Sequence, residues 1–401
     1  MVWLDCITFA IKMRNCMEKK YLMMVLAVLL TACGGQQKTA QGTESEGTSD
    51  TLKYAKGFTV RTLADGVRLV DVQDPQTAGE DGDDERMPIG YSFALVPRGS
   101  EAEVPDGYQR VEVPVERTIV MTMLQLSNFT ALDAHDVVRG ITGTKNLYNE
   151  DIRQRVKDGR MVKIGMEGNF DTELILAAQP EVIFISPFKR GGYDAIKETG
   201  ITLIPHLGYK ELTPLGQAEW IKFVGLFIGK EHEADSVFSG IEQRYNDLKE
   251  RMAGLQTETL PTVFSGEMHG GNWYAVGGKN SLAQIFRDAG ARYVIDNDDT
   301  GGVNIEFEQM YALAANADYW RILNSFEGDF SYEALKASEP RNELFKAFRE
   351  RQVIYCNMKQ TPYYEKSPVM PDVLLADLVA IFHPDLMPED YEPTFYHLLA
   401  P

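Results

Sequence analysis

Short apolar runs alternate with helical stretches along most of the chain. Residues 118–121, 182–185 and 202–204 are largely apolar runs of strand length, and the segments between them carry apolar residues at helical spacing. Buried strands that alternate with helices are typical of a parallel sheet with helices on both faces. The pattern therefore predicts an α/β lobe over residues 117–211.

The same alternation returns later and predicts a second α/β lobe over residues 257–401. Its predicted strands are 262–264, 274–276, 292–295, 319–322 and 352–355, and its predicted helices are 281–289, 305–315, 332–349 and 371–382. Between the lobes, Trp220, Phe223 and Phe227 recur at three- and four-residue steps, which predicts one long connecting helix over residues 212–256. Glycines at 225, 229 and 240 weaken the pattern locally, so this helix is either straight or kinked. The predicted fold is thus α/β, with two Rossmann-like lobes joined by one long α-helix.

Strand-like runs also precede the first lobe. They lie at residues 58–60, 67–70 and 92–96, and they predict a β-rich N-terminal extension over residues 51–116. The pattern assigns this extension no function.

The N-terminus has the layout of an export signal. The apolar run at residues 21–32 is shorter than the roughly 20 residues that a spanning helix needs, and Lys19 and Lys20 precede it. The run ends in Leu30-Thr31-Ala32-Cys33, which resembles the lipobox of bacterial lipoproteins. The resemblance implies a signal peptide over residues 1–32, cleavage before Cys33 and acylation of its thiol. Translation from either Met1 or Met17 fits this layout.

Residues 33–50 are polar and predict a flexible tether, which would hold a folded body close to a membrane. We therefore expect a lipid-anchored protein of the cell envelope that faces the periplasm. The sequence does not indicate which membrane carries the anchor.

Charge and motif content exclude several classes of function. The 401 residues include 40 Lys and Arg against 59 Asp and Glu, a net charge of −19 that disfavours nucleic-acid binding and favours a basic partner surface. The chain has no Gly-x-Ser-x-Gly, Cys-x-x-Cys or His-Glu-x-x-His motif, and its six histidines are scattered. We therefore predict no catalytic residues, no metal site and no resident cofactor.

The loops that follow the predicted strands are rich in aromatic residues and glycine. Ligands of open α/β sheets bind beyond the carboxyl ends of the strands, where aromatic rings stack on flat molecules. The candidate ligand-binding residues are Tyr148, Phe188, Arg190, Tyr209, His269, Trp273, Tyr274, Tyr363 and Tyr364. For each aromatic candidate, packing in the core or at a hinge is the alternative.

The order of several segments resembles the substrate-binding proteins of ABC importers for iron chelates, haem and vitamin B12. The resemblance lies in residues 117–121, 138–142, 163–173, 178–183, 277–290, 304–318 and 363–368. It implies two lobes on a rigid helix, a monomer with a ligand in the cleft, and an ABC permease with its ATPase as partners. It also implies that one glutamate of each lobe docks on the permease, and these match Glu173 and Glu308, with Glu306 as the alternative to Glu308.

We therefore hypothesise a lipid-anchored solute-binding protein that captures a metal chelate and delivers it to a permease. The chelate stays open among ferric siderophore, corrinoid and haem, and for haem an axial ligand could come from His206, Tyr209, His269 or Tyr274. Two alternatives stay open as well. One is an enzyme or cofactor-handling protein on a similar two-lobed scaffold, and the other is an adhesion or scaffold lipoprotein.

Overall fold

The structure is a computed structural model that describes residues 48–50, 52–76, 90–143, 145, 147–166, 168–187, 193–255 and 260–400. The predicted signal peptide, Cys33 and most of the predicted tether lie outside the described residues. Within these described ranges, no helix combines the length and the apolar character needed to cross a membrane.

A five-stranded sheet forms the N-terminal extension. Its strands are β1 (Thr48–Asp50), β2 (Phe58–Thr62), β3 (Arg68–Val72), β4 (Tyr91–Pro97) and β5 (Gln109–Val113), in the order β1-β2-β3-β4-β5. All neighbours are antiparallel except β4 and β5. The tether predicted up to residue 50 is therefore wrong at its end, because Thr48–Asp50 pair with β2. Strand pairing uses backbone groups, so the polar sequence did not reveal it.

Lobe one (residues 117–211) is a parallel sheet in the order β12-β11-β6-β7-β8. Its elements are β6 (Thr118–Val120), α1 (Met123–Ala131), β7 (Val138–Ile141), α2 (Glu150–Lys157), β8 (Val162–Lys163), β9 (Gly165–Met166), β10 (Asn169–Phe170), α3 (Thr172–Ala177), β11 (Val182–Ile185), α4 (Asp194–Lys197) and β12 (Thr202–Pro205). The predicted alternation of strands and helices is present here, while β9 and β10 form a separate two-stranded pair.

The segment between the lobes contains two helices where the sequence pattern predicts one. They are α5 (Pro214–Ile228) and α6 (Glu231–Ala253). The single helix over residues 212–256 is thus a wrong prediction. Gly229 adopts a left-handed conformation with φ of 68°, which ends α5, and the N–H of Lys230 bonds back to the carbonyl of Gly225. The 23-residue α6 then leads into lobe two.

Helix α5 is buried between two sheets, which explains why its apolar residues cover more than one face. Phe58 of the extension lies 5.1 Å from Phe223 between ring centroids, and Phe184 of lobe one lies 5.5 Å from Phe227. The extension is therefore part of the main hydrophobic core rather than an appended domain.

Two buried carboxylates of this region hold the start of the extension. Glu219 accepts hydrogen bonds from the N–H groups of Lys53, Tyr54 and Ala55 at 2.8–3.1 Å. Glu211 accepts those of the next two residues, both at 2.9 Å, and also that of the Trp220 indole. Five consecutive backbone amides are thus fixed beside α5. We call residues 53–57 the strap.

Lobe two (residues 257–401) is a second sheet in the order β16-β13-β18-β19-β20, parallel except at β20. A three-stranded antiparallel sheet, β14-β15-β17, adjoins it. The elements are β13 (Thr262–Ser265), β14 (Glu267–His269), β15 (Asn272–Val276), α7 (Ser281–Asp288), β16 (Arg292–Tyr293), β17 (Gly302–Ile305), α8 (Phe307–Ala314), β18 (Tyr319–Asn324), α9 (Tyr332–Ser338), α10 (Lys346–Arg349), β19 (Val353–Asn357), α11 (Tyr363–Lys366), α12 (Pro371–Phe382) and β20 (His397–Leu398).

Two predictions for lobe two are wrong in detail. The single helix predicted over 332–349 is divided into α9, a 3-10 helix at Pro340–Leu344 and α10, because Pro340 cannot continue a helix interior. The loop predicted after residue 264 contains β14 and the start of β15. The glycines that suggested a loop lie at the turns, where Gly266 and Gly271 have positive φ.

Candidate functional site

A cavity of about 690 Å³ lies between the two lobes. Lobe one and α5 contribute Leu124, Tyr209 and Gln217, and lobe two supplies the remaining wall. The volume falls within the roughly 300–1,000 Å³ that small-molecule sites usually have. The cavity lies where the predicted cleft should be.

The floor of the cavity carries a buried cation. Arg321 belongs to β18, the central strand of the lobe-two sheet, and its side chain is only 6% exposed. Its Nε and Nη2 groups donate to the phenol oxygen of Tyr396 at 3.0 and 2.5 Å. That phenol in turn donates to Tyr363 Oη at 2.9 Å, so Arg321 positions the ring of Tyr363 through Tyr396.

A carboxyl group lies on the adjacent wall. Glu267 of β14 accepts a 3.1 Å hydrogen bond from Asn324 Nδ2, and Asn324 Oδ1 accepts one from the Tyr355 hydroxyl at 2.9 Å. Burial raises the pKa of Glu267, while the hydrogen bond from Asn324 and the charge of Arg321 oppose that shift. The cavity therefore offers both a fixed cation and a carboxyl of reduced acidity.

Five of the candidate ligand-binding residues line this cavity, namely Tyr209, His269, Tyr274, Tyr363 and Tyr364. Tyr274 and Tyr364 are 52% and 45% exposed, so their rings are free to contact a ligand. Tyr209 is anchored through its hydroxyl, which donates to the carbonyl of Pro187 at 3.0 Å. The structure thus brings candidates from three separate loops together.

Trp273 does not face the cavity. It is fully buried, its indole N–H donates to the carbonyl of Ser265, and its ring lies 5.4 Å from that of Trp320. Successive side chains of a strand point to opposite faces, so Tyr274 reaches the cavity while Trp273 packs in the core of lobe two. For this residue, the core-packing alternative is the correct one.

Tyr148 joins the lobes instead of lining the cavity. Its backbone N–H donates to Glu365 Oε2 at 2.6 Å, and its hydroxyl donates to the carbonyl of Met358 at 2.8 Å. The other Glu365 oxygen accepts the N–H of Asn149 at 2.9 Å. We call these contacts the interlobe latch. Phe188 and Arg190 lie outside the described residues.

His206, one of the open choices for an axial ligand, is also a core residue. It is fully buried beside Trp220, with ring centroids 4.7 Å apart, and it approaches Asn128. Burial lowers the pKa of its imidazole to about 3. His206 is therefore a neutral packing residue in the folded protein.

The sequence reasoning missed Arg321, Glu267 and Asn324. Arg321 interrupts an otherwise apolar strand, and a charge in such a strand is itself a signal, because a buried charge is costly without a partner or a purpose. Glu267 and Asn324 had no comparable signal, since their positions depend on β14 and on the end of β18.

The two candidate docking glutamates are exposed and lie in the first turns of short helices. Glu173 belongs to α3 and Glu308 to α8. Glu308 forms a 3.2 Å ion pair with Arg341, and the guanidinium of Arg341 lies 4.0 Å from the centre of the Phe307 ring. Exposed leucines accompany both, Leu176 on α3 and Leu313 on α8. Each lobe thus presents an exposed glutamate and an exposed leucine on one short helix.

Across the described ranges, no three His, Cys, Asp or Glu side chains come together in a way that would hold a metal ion. The cavity instead combines aromatic rings, amides, one guanidinium and one carboxyl group. This donor set suits the binding of an organic or complexed ligand by stacking, hydrogen bonds and charge.

Comparison with known proteins gives a consistent result. The profile of the periplasmic binding protein family matches residues 121–359. An uncharacterized lipoprotein of Methanocaldococcus jannaschii is 27% identical over 306 residues, which cover 72% of this chain and 70% of that protein.

Solved structures with this fold include a periplasmic haem-binding protein from Pseudomonas aeruginosa, with a TM-score of 0.57, 20% identity and coverage of 72% of this chain and 99% of that one. They also include the periplasmic vitamin B12-binding protein BtuF of Vibrio cholerae, with a TM-score of 0.50, 12% identity and coverage of 67% and 97%. At these identities the likeness concerns the fold.

Proposed function

This chain belongs to the periplasmic binding protein family, and we propose that it is the solute-binding component of an ABC importer that captures a metal chelate between its lobes. The observation that carries the proposal is the interlobe cavity of about 690 Å³, lined by tyrosines from both lobes. The two solved structures named above, which share this fold, are a haem-binding and a vitamin B12-binding protein. The ligand class we propose is therefore a haem, a corrinoid or a ferric siderophore.

In this proposal, the protein performs no chemistry on its ligand. The lobes enclose the chelate, Tyr274 and Tyr364 contact its body, and the interlobe latch holds the closed arrangement. The family consists of binding proteins, which favours this view over an enzyme on the same scaffold. Turnover of a small molecule by the purified protein would favour the enzyme instead.

A thermal-shift panel tests ligand capture. The full chain is purified in detergent and heated with haemin, cyanocobalamin or a ferric hydroxamate. A ligand that binds the folded state alone stabilises it by about 2.7 kcal/mol at 100 times Kd, so one member should raise the melting temperature. The matched variant Tyr274→Ala should reduce the shift, and Tyr311→Ala, outside the cavity, should not. No shift with any chelate, confirmed by calorimetric titration, would contradict the proposal.

We further propose that Cys33 carries the lipid anchor and that the body faces the periplasm. Support comes from the lipobox-like sequence and from relatives that are named lipoproteins. Labelling cells with an alkyne fatty acid should mark the wild-type protein and leave Cys33→Ser unlabelled, with Cys356→Ser as the control. Equal labelling of both variants would overturn the assignment.

The remaining part of the proposal is the partner. Glu173 and Glu308 would orient the protein on a basic permease surface, one glutamate from each lobe. Both are exposed in the first turn of a helix that also carries an exposed leucine, and the chain is strongly acidic overall. Surface charges of this kind contribute orientation and association rate more than affinity.

A further inference from the structure

The guanidinium of Arg321 lacks a charged partner. Its side chain is more than nine-tenths buried, yet it forms no ion pair in the described part of the chain, and Tyr396 Oη is its single side-chain acceptor there. A guanidinium has five N–H donors, and Tyr396 engages two nitrogens, Nε and Nη2. Nη1 has no hydrogen-bond partner among the described residues, although the side chain lines the interlobe cavity.

Burying a guanidinium without a charged partner costs free energy in a folded protein. A buried charge is normally paired with an opposite charge, because its lost hydration is otherwise not replaced. The Tyr396 ring, with its centroid 5.2 Å from the guanidinium carbon, compensates in part through a cation–π contact. The unsatisfied donors point to a ligand that completes the set.

The acidic residue in the lining of the cavity does not fill this role. Glu267 directs its Oε1 to Asn324 and forms no ion pair with Arg321. Arg321 is therefore held by Tyr396 and lines the cavity, and no carboxylate among the described residues neutralises it. A rigid guanidinium of this kind recognises planar or tetrahedral oxyanions well.

We propose that Arg321 is an anion-anchoring residue, which binds an anionic oxygen of the ligand, such as a carboxylate, at the floor of the cavity. This inference rests on the proposed function, because it concerns the same cavity. It adds that the captured molecule is negatively charged at the end that enters first, while Tyr274 and Tyr364 contact its body. The oxyanion could belong to an organic chelate or be a free inorganic ion.

The experiment compares anionic and uncharged probes by calorimetric titration of the full chain. The anionic probes are haemin and ferric citrate, which carry carboxylates, and sodium molybdate as an inorganic oxyanion. Dicyanocobinamide, a corrinoid with neither a carboxylate nor a phosphate, is the uncharged probe. Arg321→Met should weaken binding of the anionic probe by about 10- to 100-fold, which is the affinity that one hydrogen bond to a charged group contributes. The exposed Arg349→Met, outside the cavity, should leave it unchanged.

The outcomes separate the two proposals. Binding of dicyanocobinamide alone, unchanged in Arg321→Met, overturns the anion anchor and leaves the proposed function standing. Binding of no probe here, together with no binding of the ferric hydroxamate in the thermal-shift panel, overturns both. Molybdate binding without binding of the organic anions supports an inorganic oxyanion, and the reverse supports a carboxylate-bearing chelate.

A second measurement does not depend on whether Arg321→Met folds. In wild-type protein, excess sodium sulfate should compete with the bound anionic probe and lower its apparent affinity, while sodium chloride at equal ionic strength should compete less. Arg321→Lys keeps the charge but loses the planar fork, so it should retain part of the affinity. Equal effects of the two salts, together with unchanged binding in Arg321→Lys, would also overturn the proposal.

Discussion

The carboxylate of Glu365 in lobe two accepts a 2.6 Å hydrogen bond from the backbone N–H of Tyr148 in lobe one, although 217 residues separate them. Glu365 is almost fully buried, and its second oxygen takes the neighbouring N–H of Asn149. One side chain thus satisfies two backbone donors across the lobe boundary. Closure of the lobes therefore has a specific chemical basis at this point.

Replacing Glu365 with alanine should loosen that closure. The change leaves two amide donors without their acceptor, and hydrogen bonds to a charged group contribute about 1.5–3 kcal/mol each. We expect a lower free energy of unfolding in urea and faster ligand release in stopped-flow measurements. The exposed Glu350→Ala should change stability by less than about 0.5 kcal/mol. Unchanged release and stability in Glu365→Ala would show that the latch does not contribute.

Trp273 and its neighbour Tyr274 should respond in opposite ways to truncation. Trp273→Ala removes a fully buried ring and should cost about 3–5 kcal/mol of unfolding free energy. Tyr274→Ala removes a half-exposed ring of the cavity, so it should weaken ligand binding with little loss of stability. Urea titration and calorimetry measure both quantities. A stable Trp273→Ala protein with lost binding would restore Trp273 as a ligand contact.

Acid should destabilise the protein in part through His206. Its pKa is about 3 in the folded state against 6.5 for an ordinary histidine. Between these two pH values the imidazole is protonated in the unfolded chain and neutral in the folded chain. The stability from the neutral imidazole is fully present above pH 6.5 and is lost as the pH falls from 6.5 towards 3. The slope is about 1.4 kcal/mol per pH unit.

The variant His206→Gln isolates this effect, because other acidic groups titrate in both proteins. Urea unfolding at pH 7, 6, 5 and 4 should show a shallower loss of stability in His206→Gln than in wild type. Parallel curves would mean that His206 is protonated in the folded state or reaches solvent.

Charge reversal at Glu173 and Glu308 should separate docking from binding. The double variant Glu173→Arg and Glu308→Arg presents like charge to a basic permease, so uptake by cells should fall by about tenfold or more. Ligand affinity should not change, because neither residue lines the cavity. Reversal of the exposed Glu150 and Glu343 is the matched control. Normal uptake, or weakened ligand binding, would refute the docking role.

The alternation of apolar runs and helical stretches was sufficient to predict the two lobes. Continuous apolar runs such as residues 182–185 are fully buried strands with helices between them. It failed at Gly229, where a single left-handed residue divides a helix whose apolar spacing continues through the break. It also failed at β14, since three residues between glycines are too few for a period to show.

Site prediction had a similar limit. The rule of aromatic residues after strands selected Tyr274 and Tyr364, which line the cavity, and also Trp273, which lies next to Tyr274 on the opposite face of the strand. Strand register decides between such neighbours, and β15 was predicted to begin one residue later than Trp273. The charged floor depends on the packing of Arg321 against Tyr396, two residues 75 positions apart, which no local pattern encodes.

The strap has a mechanical consequence. A pull that reaches Lys53 from the membrane side would be resisted by the five amides that Glu219 and Glu211 hold, and so by α5 at the junction of the lobes. Lobe two would not carry that load directly, whereas lobe one would share it through Glu211. Tension on the N-terminal segment would then not pull the two lobes apart, so they could still move relative to each other around the ligand.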